Sequence, residues 1–199
     1  MKKFIFWGLF TFFLHSVYGQ TYQVTYYEKT LFDINAPDLD KLDSGMKIKM
    51  KDMLNNLVSV YRLENKNGQS KFYFDYALVK GEIDRDPRRY VNQRIVFKNF
   101  SEGNYYTEWL DEENSDQPEL KALTTGWKID TSRDTIIAGF DCKYAVLKGE
   151  KIAAWFAPAI PLMDGPFKYA GLAGLILRLE TRNQVVEAYN IQVMKKDNK

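Results

Sequence analysis

Few residues in this 199-residue chain are equipped for acid–base, nucleophilic or metal chemistry. His15 is the only histidine and Cys142 the only cysteine. Catalytic triads with an imidazole base, HExxH centres and most zinc sites all need histidine, so what remains is carboxylates, lysines, tyrosines, one thiol and thioethers. Asp141 or Asp164 beside Lys143 or Lys168 offers the ingredients of a carboxylate-based hydrolase, but no pair has catalytic spacing. Met46, Met50 and Met53 stand at i, i+4 and i+7, which puts three soft thioethers on one helical stripe suited to Cu(I). Leu54 and Leu57 continue that stripe, and methionine is a routine core filler, so packing is the favoured reading over metal handling.

Two charged runs carry weaker signals. The acidic segment "DEENSDQPE" (residues 111–119) lacks the alternate ligands and central glycine of an EF-hand loop and reads as a solvated loop. In "DRDPRR", Arg85, Arg88 and Arg89 could clamp an anion, yet Asp84 and Asp86 partly neutralise them. Cys142 lies among apolar residues, and Lys143 points to the opposite face of the same strand, so the thiol is expected to be buried and inert.

The stretch "MDGPFKYAGLAGLILRLE", Met163–Glu180, concentrates three glycines. A phosphate cradle needs GxGxxG or GxxxxGK[ST] between a strand and a helix, and neither spacing is present. Gly165 and Pro166 instead suit a turn, while Gly171 and Gly174 permit close backbone approach where the chain enters a strand. With the neighbouring aromatics, the candidate binding residues are Trp155, Phe156, Asp164, Gly165, Pro166, Phe167, Tyr169, Gly171 and Gly174. Asp164 to Tyr169 is expected to be the exposed part. Tyr105, Tyr106 and Trp109 could join an apolar groove, although each is individually more consistent with core packing.

These residues must be positioned by strands. Residues 1–19 combine Lys2 and Lys3 with an apolar run and small residues before Gly19, the pattern of a secretory signal peptide. Cleavage near Gly19 would leave an exported chain, periplasmic or extracellular, with 26 basic and 26 acidic residues. Such balance gives no footprint for nucleic acid, and no downstream run is long enough to span a membrane. Residues 20–199 fit one domain. Alternation at Tyr22, Val24 and Tyr26 predicts a first strand, and the methionine stripe predicts one amphipathic helix near residues 44–58. Asn67-Gly68 marks a hairpin. "SEGN" joins two further strands, a long strand is expected over 135–147, and Arg182-Asn183 turns into a last strand with Val185, Tyr189, Ile191 and Val193 on one face. The fold class is mainly β (α+β): an antiparallel meander curved as a half-barrel and packed around the helix.

"WKI" at Trp127, "IAGFDCKYA" at Ile137–Ala145, "AWF" at Ala154–Phe156, Ile160-Pro161 and "GPFKYAGLAGLIL" at Gly165–Leu177 resemble, in order, the signature of the GLPGLI family of Bacteroidota exported proteins. Ala173 stands where that family's naming motif has proline. The resemblance implies a cell-envelope protein of unknown biochemical role. The expected function is therefore a non-enzymatic binding or interaction module without a cofactor, its partner an envelope protein or an apolar ligand. The alternatives are the carboxylate-based hydrolase and the methionine metal handler.

Overall fold

The computed structural model describes residues 21–33, 39–86, 94–109, 118–124 and 126–194. The leader, Arg88, Arg89 and most of the acidic run lie outside the described residues. Within them the chain forms twelve strands and one helix: β1 (Thr21–Thr30), α1 (Ser44–Asn55), β2 (Leu57–Lys66), β3 (Gln69–Val79), β4 (Glu82–Asp84), β5 (Arg94–Asn99), β6 (Asn104–Trp109), β7 (Lys121–Ala122), β8 (Trp127–Ile137), β9 (Phe140–Leu147), β10 (Ala153–Ala157), β11 (Leu175–Glu180) and β12 (Gln184–Met194). All pair antiparallel in one open sheet of order β7-β6-β5-β3-β2-β1-β12-β11-β10-β9-β8, with β4 beside β3. The sheet is not closed and is consistent with the expected half-barrel.

Alternation and register together write rows of side chains across one face. Val24, Leu63, Phe72, Val96 and Thr107 are successive partners from β1 to β6, and the first four of them are buried. The neighbouring row runs Tyr22, Asn65, Ser70, Lys98, Tyr105 and Lys121. Thus one row is nearly all apolar, while the next carries a buried amide, hydroxyl and ammonium. Tyr61 stacks on Phe72 with ring centroids 5.1 Å apart, and Tyr26 meets Phe72 edge-on at 5.9 Å.

Turn chemistry explains the hairpins. Asn67 and Gly68 both have positive φ, 53° and 77°, as a two-residue I′ turn requires. Ala138 and Gly139 do the same at 49° and 83°, and this corrects the expected strand over 135–147. It is two strands, β8 and β9, folded back on each other. Ile136 is consequently exposed, whereas Cys142 is fully buried.

Bulges correct the parity of the last strand. The β1–β12 register slips between Thr25 and Tyr26, and one extra residue sends following side chains to the opposite face. Val186 and Ala188 are buried, and Tyr189 is 65% exposed, stacked on Tyr27 at 4.7 Å. A second slip between Trp155 and Phe156 in β10–β11 accompanies full burial of the consecutive Leu175, Ile176 and Leu177.

The helix forms where its spacing predicts. Asp43 caps it by accepting a hydrogen bond from the Met46 N–H at 2.9 Å. It lies against β1 and β2, but none of its residues is buried. Met46 and Met53 are 49% and 60% exposed. The half-barrel is therefore not packed around α1, and these methionines are not core fillers. The strap between β10 and β11, residues 158–174, supplies Ile160, Tyr169 and Leu172 to the core instead.

Candidate functional site

The strap is tied down by a polar latch. The Asp164 carbonyl oxygen accepts a hydrogen bond from the Ile176 N–H at 2.9 Å, and the Asp164 side chain is fully buried. Oδ1 lies 2.5 Å from Lys98 Nζ and accepts the Gly165 N–H at 2.7 Å; Oδ2 accepts the Asn65 amide at 3.0 Å. Lys98 Nζ also donates to the Gly165 carbonyl at 2.5 Å. Three segments distant in sequence, β2, β5 and the strap, thus meet at one carboxylate. Burial lowers the Lys98 pKa, and Asp164 works against that shift. Removing either partner leaves an unpaired buried charge, which typically costs about 3–5 kcal/mol.

Close packing surrounds the latch. A Cβ on Gly165 would sit 2.7 Å from the Ile176 side chain, and one on Gly174 would collide with the Ala157 carbonyl. Gly171 has φ +85°, and its Cβ would lie 2.8 Å from the Thr124 carbonyl oxygen. Tyr26 donates to the Ile176 carbonyl at 2.8 Å; burial, then the Asp164 charge, raises its pKa well above the ordinary tyrosine value. The Trp127 indole and Thr124 hydroxyl donate to the carbonyls of Ala170 and Lys168, at 2.8 and 3.1 Å.

Next to the latch, between the strap and the β5–β7 wing, is a cavity of about 350 Å³. Register brings Arg94, Val96, Tyr105, Thr107 and Lys121 to one face of the wing, and Phe167, Lys168 and Tyr169 form the facing wall, with Gln184 completing the lining. Phe167 adopts φ 51°, a left-handed conformation uncommon for a bulky residue. Its ring is held edge-on to Tyr61 at 5.6 Å and to Phe72 at 4.8 Å, so packing maintains the strain at the cavity wall. Arg94 lies over the Trp109 ring at 5.4 Å. The lining holds three cations and no carboxylate among the described residues.

The predicted candidates separate into distinct environments. Phe167 and Tyr169 line the cavity, while Asp164, Gly165 and Pro166 are buried behind it. The expectation that Asp164 to Tyr169 forms one exposed segment is thus corrected: Asp164 turns inward to meet Lys98. Gly171 and Gly174 set the strap's path. Phe156 is buried in the core, and Trp155 packs against Tyr144 at 4.8 Å with Arg133 5.2 Å above its ring. Of the other aromatics, Tyr105 reaches the cavity, whereas Tyr106 stacks on Phe97 at 4.9 Å.

The hydrolase ingredients are not assembled as pairs of Asp141 or Asp164 with Lys143 or Lys168. Lys143 stands 3.8 Å from Asp134, and Asp164 is saturated by structural donors. Cys142 is buried as expected; burial pushes its thiol up to about 11, away from reactivity. Among the described residues, no group of three or more His, Cys, Asp or Glu is placed to hold a metal, and no helix is long and apolar enough to cross a membrane.

Lys98, Asn65, Arg94, Thr107 and Lys121 were not singled out by sequence motifs. One signal was available for Lys98: in "RIVFKN" it shares parity with Val96, an inward position where an unpaired ammonium could not remain. The partner that resolves this conflict is 66 residues further along the chain.

Residues 92–178 match the model of a family described as a protein of unknown function (Porph_ging). No curated protein matches the chain. The matched region covers less than half of the 199 residues but contains both cavity walls, the strap, and the Lys98 and Asp164 members of the latch.

Proposed function

We propose that this chain is an exported cell-envelope protein of the GLPGLI family of Bacteroidota and serves as a non-enzymatic binding module. Its leader pattern supports export, and the ordered motifs from Trp127 to Leu177 support the family. The observation that carries the binding role is the cavity of about 350 Å³ between the strap and the β5–β7 wing. That volume is within the usual range for small-molecule sites, roughly 300–1,000 Å³. One wall contains a strained Phe167 held from behind by Tyr61 and Phe72, so the site is preorganised by packing.

Native mass spectrometry of protein purified from its own envelope tests this reading. A bound small molecule in the natural protein, lost in a folded Thr107→Trp variant that fills the cavity, is the expected result. No bound species, together with identical spectra for the two proteins across a small-molecule library, overturns it.

A further inference from the structure

We infer that Met46, Met50 and Met53 on α1 form a thioether site for a soft monovalent cation, Cu(I). The site is separate from the cavity and does not depend on the binding-module reading. Methionine ordinarily fills cores, but α1 has no buried residue; Met46 and Met53 are exposed and Met50 is half-buried. Packing therefore does not explain why the three share a spacing of i, i+4 and i+7. That spacing keeps them within a stripe about 60° wide on the helix. Successive pairs are one turn apart, with Cβ atoms about 5–6 Å from each other, so two flexible thioethers flank the central Met50. Ile48, the other large apolar residue that α1 exposes, lies about 160° around the helix from the middle of the stripe. The exposed apolar residues of α1 thus do not make one continuous face for a protein partner.

Donor chemistry selects the ion. Thioethers are neutral, soft ligands that favour Cu(I) over hard and borderline cations, and coordination takes the metal as Cu(I) without changing its oxidation state. Lys49 and Lys51 are exposed on opposite flanks of the stripe, and Lys47 lies 4.0 Å from Asp40. Repulsion from these ammonium groups grows with the charge of the ion, so it opposes Zn(II) and Cu(II) more than Cu(I). The other soft donor, Cys142, is fully buried in the sheet with its thiol pushed up to about 11, so an ion arriving from solvent meets the thioethers first. Met163 and Met194 are also exposed, but neither has another methionine at helical spacing. They separate the effect of alignment from that of exposure alone.

Methyl NMR of protein labelled with carbon-13 methionine, titrated with Ag(I) as an air-stable analogue of Cu(I), tests the site. The expected result is that the signals of Met46, Met50 and Met53 shift together and saturate at one equivalent, before those of Met163 and Met194 move. Zn(II) should move none of them. Anaerobic competition for Cu(I) against bicinchoninate should show affinity lowered at least about tenfold by Met50→Leu. Circular dichroism and urea midpoints of the leucine variants should match the natural protein, since leucine has similar volume and helix propensity. Met163 and Met194 signals that shift at the same Ag(I) concentration as those of α1 would overturn the site. Cu(I) affinity unchanged in a variant with all three α1 methionines replaced by leucine would also overturn it, as would uptake that Cys142→Ala abolishes. None of these outcomes bears on the cavity, which the Thr107→Trp experiment tests separately.

Discussion

Lys98 and Arg94 share strand β5 and the same face of it, yet their environments are opposite. Lys98 is sealed in the interior, its ammonium held by Asp164 and the Gly165 carbonyl. Arg94 is exposed at a cavity mouth, beside a tryptophan and near two other cations. The difference distinguishes two uses of charge. A buried ion whose partners are all supplied by the fold fixes the strap; the cations of β5, β7 and the strap that border the cavity instead stay in reach of solvent. The latch also shapes the cleft, because Asp164 precedes Phe167 by three residues and fixes the start of its wall.

The sharpest break in this contrast should come from the latch. Asp164→Ala leaves the Lys98 ammonium buried without its carboxylate, and urea denaturation should register a loss of about 3–5 kcal/mol. Replacing both charges, as Lys98→Met with Asp164→Leu, should lose less because no orphan charge remains. A single variant within about 1 kcal/mol of the natural protein would contradict the latch. Next in size, Gly171→Val meets both a positive φ and the Thr124 carbonyl, and should lower stability by at least about 2 kcal/mol. A stable Gly171→Val protein that no longer binds ligand would instead give this glycine a direct role in recognition.

The smallest effect concerns pH. Burial raises the Cys142 thiol from 9.0 to about 11, and burial with the Glu64 hydrogen bond raises Tyr73 from 10.0 to about 12. Each group ionises more readily in the unfolded chain. Their contribution to stability is therefore complete below the unfolded pKa and lost as pH rises through the folded one. Thermal unfolding scans should show Tm declining from about pH 9 to 12, and Cys142→Ala should flatten the part between 9 and 11. An unchanged pH profile in that variant would deny the thiol its assigned share.

Much of the sheet was legible because strands announce themselves locally. Tyr22, Val24 and Tyr26 alternate, and Asn67-Gly68 specifies its own turn. The helix was legible from methionine spacing, but the spacing did not reveal what its stripe would face, and the strap occupies the core in its place. Alternation puts Tyr189 on the face of Val185 and Ile191, but the bulge opposite Thr25/Tyr26 changes parity without leaving a sequence mark. The Ala138-Gly139 turn is hidden in the sequence because both flanking segments are strand-like and carry apolar residues. Phe167 and Tyr169 were found through the glycine-rich motif. Arg94, Thr107 and Lys121 were not, since only register across β5, β6 and β7 brings them to one cavity.

The division between latch and cleft is tested most directly by measuring urea midpoints, and the bound small molecule by native mass spectrometry, for Asp164→Ala and Thr107→Trp in parallel. The account predicts a large fall in midpoint for Asp164→Ala, about 3–5 kcal/mol in stability, and for Thr107→Trp a folded protein that has lost the small molecule. An Asp164→Ala protein of natural stability, or a folded Thr107→Trp protein that still carries the same small molecule, would contradict it.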